Sequence, residues 1–181
     1  MTQIQTAAED EVAALAALQR AIATPAVVGL ARALSIFGAN SAGWLALGGI
    51  GAMADTRRRR DWMTASATVL AAHCASIAIK QLVRRPRPEH PDLQVYTPTP
   101  SRLSFPSAHA TSTTTAAVLY GGLIGRRLAP LLVPPMLLSR LVLGVHYPSD
   151  VLAGSVLGAV IGIGALRRLG AGRRGRIGGA S

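Results

Sequence analysis

Long uncharged runs broken by arginine clusters constrain this chain more than any other feature. Residues 62–79, 118–125, 141–145 and 151–166 carry no formal charge. The two short runs extend through neutral residues toward the roughly 17–25 that a membrane-spanning helix needs. Half of the chain is hydrophobic and 15% is charged, too little charge to solvate a soluble domain of that hydrophobicity. Lipid is therefore expected to cover much of the surface. With 181 residues there is room for one core and not for two of comparable size.

The net charge of +11 raises the possibility of nucleic acid, but the arrangement of the charge argues against it. The arginines cluster between apolar runs, at 57–60, 126–127, 167–168 and 173–176. They do not line one helix with interleaved aromatics. Cys74 is the only cysteine, so no internal disulfide is expected. The first eleven residues are polar and acidic, unlike a cleavable signal peptide.

The expected fold class is all-α: a polytopic membrane bundle of about five or six hydrophobic helices. Residues 1–38 are expected to form amphipathic helices at the interface, with a first span as the alternative. Residues 39–168 are expected to form the transmembrane core, with spans near 41–54, 62–83, 108–125, 128–145 and 149–166. Small residues in 41–54 suit close helix packing in lipid. Residues 169–181 read as a disordered basic tail. Prolines 86, 88, 91, 98 and 100 mark a long loop between 84 and 106. Pro130, Pro134 and Pro135 are expected to distort the segment that follows 128. If each segment crosses once, eleven arginines fall on one side. By the positive-inside rule that side is cytoplasmic, and the proline-rich loop faces out.

The outward side also collects the unusual polar residues. Lys80 is the only lysine; it ends an uncharged span two helical turns before Arg87. Both residues can reach one anion, and both equally suit anchoring at head groups. Pro106-Ser107-Ala108-His109 opens the next segment, where helix N–H groups favour anions and Ser107 adds a hydroxyl. The same residues also make an ordinary helix start. Ser139-Arg140 lies near the end of the following segment, and His146 to Asp150 spans the turn after it. Taken singly, His146 and Asp150 suit a helix-tying pair as well as they suit catalysis. His73, in mid-span, reads as a hydrogen-bonded core residue. His90 and Arg102 read as solvated loop residues.

Together these three groups resemble the signature of the type 2 phosphatidic acid phosphatase superfamily, which includes the vanadium haloperoxidases. Lys-x6-Arg-Pro is matched by residues 80–88, and Ser-Arg-x5-His-x3-Asp by residues 139–150. Pro-Ser-Gly-His is matched by residues 106–109, except that Ala108 replaces glycine. Alanine still supplies a backbone N–H there, provided its φ is not positive. The resemblance covers roughly residues 62–166 and implies a lipid phosphatase with no metal and no cofactor.

The roles it implies suit the residues. His146 is the nucleophile that forms a phosphohistidine. Asp150 accepts a hydrogen bond from the other ring nitrogen. His109 protonates the leaving alkoxide and then activates water. Lys80, Arg87, Arg140, Ser107 and the Ala108 N–H bind the phosphate oxygens.

Alternatives are a phosphotransferase, a haloperoxidase (a branch that is typically soluble) and a catalytically silent lipid-binding or transport subunit. Candidate substrates are polyprenyl phosphates or diphosphates, phosphatidic acid and phosphatidylglycerol phosphate. The Ala/Arg/Gly bias and small size are also similar to those of actinobacterial decaprenylphosphoryl-phosphoribose phosphatases of arabinan precursor synthesis. That likeness implies a polyprenyl-linked 5-phosphoribose as the leading substrate.

Overall fold

Among the described residues the chain forms seven helices and two single 3-10 turns. The computed structural model describes the backbone of residues 3–178 and the side chains of residues 9–170. The helices are α1 (Gln3–Ile22), α2 (Pro25–Gly38), α3 (Ala42–Ala54), α4 (Arg59–Val83), α5 (Ala108–Ile124), α6 (Ala129–Val142) and α7 (Pro148–Gly178). Three stretches are long and apolar enough to cross a membrane: Pro25–Ala54, Thr56–Val83 and Pro148–Gly170.

The first of these alters the reading of the N-terminal region. Thr24 caps α2, its hydroxyl accepting from the Val27 N–H at 3.4 Å, with Pro25 in the first turn. At Asn40 and Ser41 φ is 48° and 61°, a left-handed step that asparagine tolerates better than most residues. The chain kinks there and continues as α3. The division expected after residue 38 falls at this kink, and 41–54, expected to span alone, is the second half of a kinked helix. The helix α1 lies apart from it. Gln19 of α1 donates to the carbonyls of Gln94 and Val142 at 2.8 and 3.0 Å, which lays α1 over the end where the 84–107 loop meets α6.

The innermost helix is α5, buried on nearly every side. Its run of Thr111, Ser112, Thr113, Thr114 and Thr115 is small enough to let neighbouring backbones close in. Without a hydrophobic driving force between helices in lipid, such contact is what holds a bundle together. Against it α7 sets Gly154, Gly158 and Gly162, spaced every four residues on one face. A side-chain carbon at Gly158 would lie 2.4 Å from the Thr111 carbonyl oxygen, and one at Gly154 2.6 Å from that of Ser107. Thr115 Oγ1 bridges the contact, 3.1 Å from the Gly158 carbonyl oxygen. On the other flank Trp44 Nε1 donates to Thr113 Oγ1 at 3.1 Å, and Tyr120 OH donates to the Trp44 carbonyl at 2.9 Å.

The outer surface is apolar in the opposite sense to a soluble protein. Ile36, Met53, Leu131, Leu152, Val156 and Val160 are exposed, as lipid-facing side chains are. Pro134 and Pro135 lie inside α6, which has 14 residues and so covers about 21 Å, short of a hydrocarbon core of about 30 Å. The helix expected over 128–145 is thus confined to Ala129–Val142.

The two ends of the bundle differ in charge. At one, Arg58 pairs with Asp55 at 2.5 Å and donates to the Leu123 carbonyl at the end of α5. At the other lie the 84–107 loop and the turn from α6 to α7. The backbone of α7 continues past the boundary drawn at 169. Residues 179–181 and the side chains from 171 onward, hence most of the expected tail, lie outside the described residues.

Candidate active site

At the second end α4, the 84–107 loop, α5, α6 and the α6–α7 turn converge on a cavity of about 410 Å³. Lys80, Arg87, Ala108, His109, Arg140 and His146 all line it. Ser107 and Asp150, expected beside them, are fully buried and stand behind the wall.

Each side chain is held by local structure. Lys80 ends the inward face of α4, and its ammonium donates to the Ser104 and Leu103 carbonyls at 2.7 and 3.3 Å. Arg87 is fixed by the loop it belongs to: Nε donates to the Ser101 carbonyl at 2.8 Å and Nη1 to the Val145 carbonyl at 2.5 Å. Ser107 caps α5, its hydroxyl accepting from the Ala110 N–H at 3.4 Å. Ala108 is helical and its φ is not positive, so alanine in place of glycine leaves the backbone donor in the first turn, where helix N–H groups lack intrahelical partners.

Arg140 is 2% exposed, and among the described residues its Nε and Nη1 have no hydrogen-bond partner. Buried guanidinium donors left open in a cavity are donors in want of an anion. His109 reaches the other way, its Nε2 donating to the Ser35 carbonyl at 3.1 Å. Its ring fits because residue 38 is glycine: a side-chain carbon there would lie 2.6 Å from His109 Cδ2.

His146 sits in the turn after Gly144, whose φ is +70° and where a side-chain carbon would come within 2.3 Å of the Gln94 carbonyl oxygen. Only glycine suits that position. Arg87 Nη1 lies 3.3 Å from His146 Nε2. The imidazole pKa is held well below its ordinary value by burial first, then by Arg87, Lys80 and Arg140. The ring is therefore neutral and its lone pair available.

The hydrogen bond implied between Asp150 and His146 is absent. Oδ2 of Asp150 stands 3.5 Å from His146 Nδ1, too far for a good hydrogen bond, and among the described residues Nδ1 has no partner. The carboxylate is turned elsewhere: Oδ2 accepts from the Tyr147 N–H at 2.8 Å and Oδ1 from Arg85 at 3.0 Å.

Two residues carry more than their sequence suggested. His73, expected in the core, lines the cavity on the same face of α4 as Lys80, about two turns before it, and among the described residues its Nδ1 is buried without a partner. Arg85 bridges Ser149, Asp150 and Glu11 of α1. Neither falls in a motif. His90 lies at the loop surface, 3.8 Å from Asp92. Among the described residues no group of three or more His, Cys, Asp or Glu side chains is placed to hold a metal ion.

A membrane helix bundle with buried cations around a neutral histidine defines a class of phosphate-handling membrane enzymes. Residues 61–173 match the PAP2 superfamily, and the chain belongs to that superfamily. Among characterised proteins it is similar to decaprenylphosphoryl-5-phosphoribose phosphatase of Mycobacterium tuberculosis, 53% identical over 159 residues that cover 87% of this chain and 90% of that one. It is likewise similar to the protein of that name from Mycolicibacterium smegmatis, 58% identical over 145 residues that cover 80% and 81%. The fold is that of the transmembrane PAP2-type phosphatidylglycerolphosphate phosphatase of Bacillus subtilis, with a TM-score of 0.73, 21% identity, and 91% of this chain and 85% of that one covered.

Proposed function

We propose that this protein hydrolyses the phosphate monoester of decaprenylphosphoryl-5-phosphoribose, from the extracytoplasmic face of the membrane. The observation that carries the reaction is the convergence of Lys80, Arg87, Arg140, His109 and His146 on one cavity. The substrate is supported by the activity for which relatives 53–58% identical over most of the chain are named.

The reaction proceeds in two displacements. His146 Nε2 attacks phosphorus with its lone pair, the P–N bond forms, and the P–O bond to the ribose breaks. The electron pair leaves with the alkoxide, which takes a proton from the imidazolium form of His109, leaving that ring neutral. Lys80, Arg87 and Arg140 take up the charge on the other phosphate oxygens as it redistributes. Water then attacks phosphorus opposite the P–N bond and gives its proton to His109, the P–N bond breaks with its electron pair returning to His146 Nε2, and inorganic phosphate leaves. The positive ring of the intermediate faces the Asp150 carboxylate, which stabilises it by charge at 3.5 Å. Ser107 and Asp150 act from behind the wall, Ser107 by fixing the first turn of α5.

The arginines at 57–60, 126–127 and 167–168, at the other end of the bundle, support the outward orientation of the site. A phosphate-release assay on detergent-purified protein, comparing the ribose lipid with phosphatidic acid and undecaprenyl diphosphate, tests the substrate. Preference for the ribose lipid is expected. Cleavage of another lipid with the ribose lipid untouched would overturn it.

A further inference from the structure

We infer that Glu11 and Arg85 are positioning residues for the proposed phosphohistidine chemistry, clamping the His146–Asp150 turn from outside the bundle. The contacts form a closed set. Arg85 Nη2 pairs with Glu11 Oε2 at 2.5 Å, and Arg85 Nη1 donates to Asp150 Oδ1 at 3.0 Å and Ser149 Oγ at 2.6 Å. The other Glu11 oxygen, Oε1, accepts from the Ser149 N–H at 2.8 Å. The Arg85 guanidinium also lies over the Tyr147 ring, 4.0 Å from its centroid. One planar guanidinium and one carboxylate thus hold Tyr147, Ser149 and Asp150, the residues that follow the nucleophile.

Neither group touches the cavity, so neither is catalytic. Their action passes through Asp150. That carboxylate is fully buried and does not hydrogen-bond His146; Arg85 is the cation that compensates it. A planar fork can satisfy two carboxylates at once, which an ammonium cannot do with fixed geometry. Glu11 closes the fork from α1, 74 residues away from Arg85 in sequence. The N-terminal helix therefore has a part in the chemistry, and its contribution is orientation.

This inference rests on the proposed role of His146, and the two separate experimentally. The full chain is assayed with a lipid phosphate as wild type, Glu11→Gln, Arg85→Ala, Arg85→Lys and the Glu11→Gln/Arg85→Ala double variant. Inhibition by inorganic phosphate reads the Lys80, Arg87 and Arg140 cradle independently. Arg85→Ala is expected to lower kcat about 10–100-fold, the range seen when a supporting group behind a reacting residue is removed. Glu11→Gln should fall between it and wild type. KM and phosphate inhibition should stay close to wild type, and Arg85→Lys should recover part of kcat. The double variant should be far less impaired than the product of the two single effects, because both residues hold the same turn as one connected network. Wild-type kcat in Glu11→Gln, or multiplying effects in the double variant, would overturn the clamp. Joint loss of kcat and phosphate inhibition would also overturn it, since that marks general unfolding. If His146→Ala retained activity, the reading beneath it would fail instead.

Discussion

Arg87 Nη1 lies 3.3 Å from His146 Nε2, and a guanidinium only donates, so Nε2 must present its lone pair. The proton of the neutral ring is thereby assigned to Nδ1, on the side of Asp150. In the proposed mechanism this one contact selects both the tautomer and the attacking atom. It also ties the proposed nucleophile to a cation proposed to share the phosphate.

Replacing that nucleophile has a direct consequence. His146→Ala is expected to lower phosphate release by about 10⁴-fold or more, as loss of a covalent nucleophile does in other enzymes. Expression and membrane insertion should be preserved. Rapid quench with radiolabelled lipid should trap label on the wild-type protein, lost in acid and stable in base. A labelled variant would refute the assignment.

The pH dependence follows from the same contact. Because burial and three cations hold His146 well below the ordinary imidazole value, protonation removes the nucleophile only at correspondingly lower pH. Removing one of those cations relaxes the shift, so the pKa of His146 rises. Arg87→Gln should move the acid limb of kcat/KM to higher pH than in wild type, besides lowering its plateau. A limb that stays in place would separate His146 from the titration.

Chelation should leave activity unchanged. Three fixed cations supply the charge that a metal would otherwise bring to a phosphoryl group. Phosphate release in excess EDTA, compared with release after adding Mg²⁺ or Mn²⁺, checks this. A strict requirement for divalent metal would contradict the mechanism.

The α5–α7 seam should tolerate no side chain. Gly158→Leu pushes a branched chain against the Thr111 carbonyl, and overpacking of that kind costs about 1–3 kcal/mol. Gly164→Leu, on the same helix with nothing within 4 Å, is expected to shift stability by less than about 0.5 kcal/mol. Thermal unfolding in detergent distinguishes them, and equal Tm values would argue that the seam is slack.

Orientation is open to labelling. In a Cys74→Ser background, Thr99→Cys in the 84–107 loop should react with an impermeant maleimide on intact cells. Arg126→Cys, at the opposite end, should react only after permeabilisation. The reverse pattern would put the cavity on the cytoplasmic face.

Much of the site was legible because motif spacing reports local structure. Lys80 and Arg87 are seven apart across a helix end, and His146 and Asp150 flank a turn. What escaped depends on contacts between distant segments. Glu11 and Arg85 meet only because α1 folds over the loop, and neither has a sequence neighbour that announces the other. His73 looked like core because its span is apolar, yet it shares a face with Ile77 and Lys80 and so turns toward the cavity. Residues 25–38 look interfacial in sequence because Arg32 sits among their apolar residues, yet through the Asn40-Ser41 kink they join α3 in one stretch, Pro25–Ala54, long and apolar enough to cross a membrane.

Among the described residues Arg140 has two buried donors, Nε and Nη1, without a partner. Each such atom costs about 1–3 kcal/mol, and any tetrahedral oxyanion in the cavity removes that cost. Inorganic phosphate should therefore raise the Tm of the protein by mass action. In the proposed mechanism product phosphate and arriving lipid compete for the same donors, so added phosphate should slow turnover.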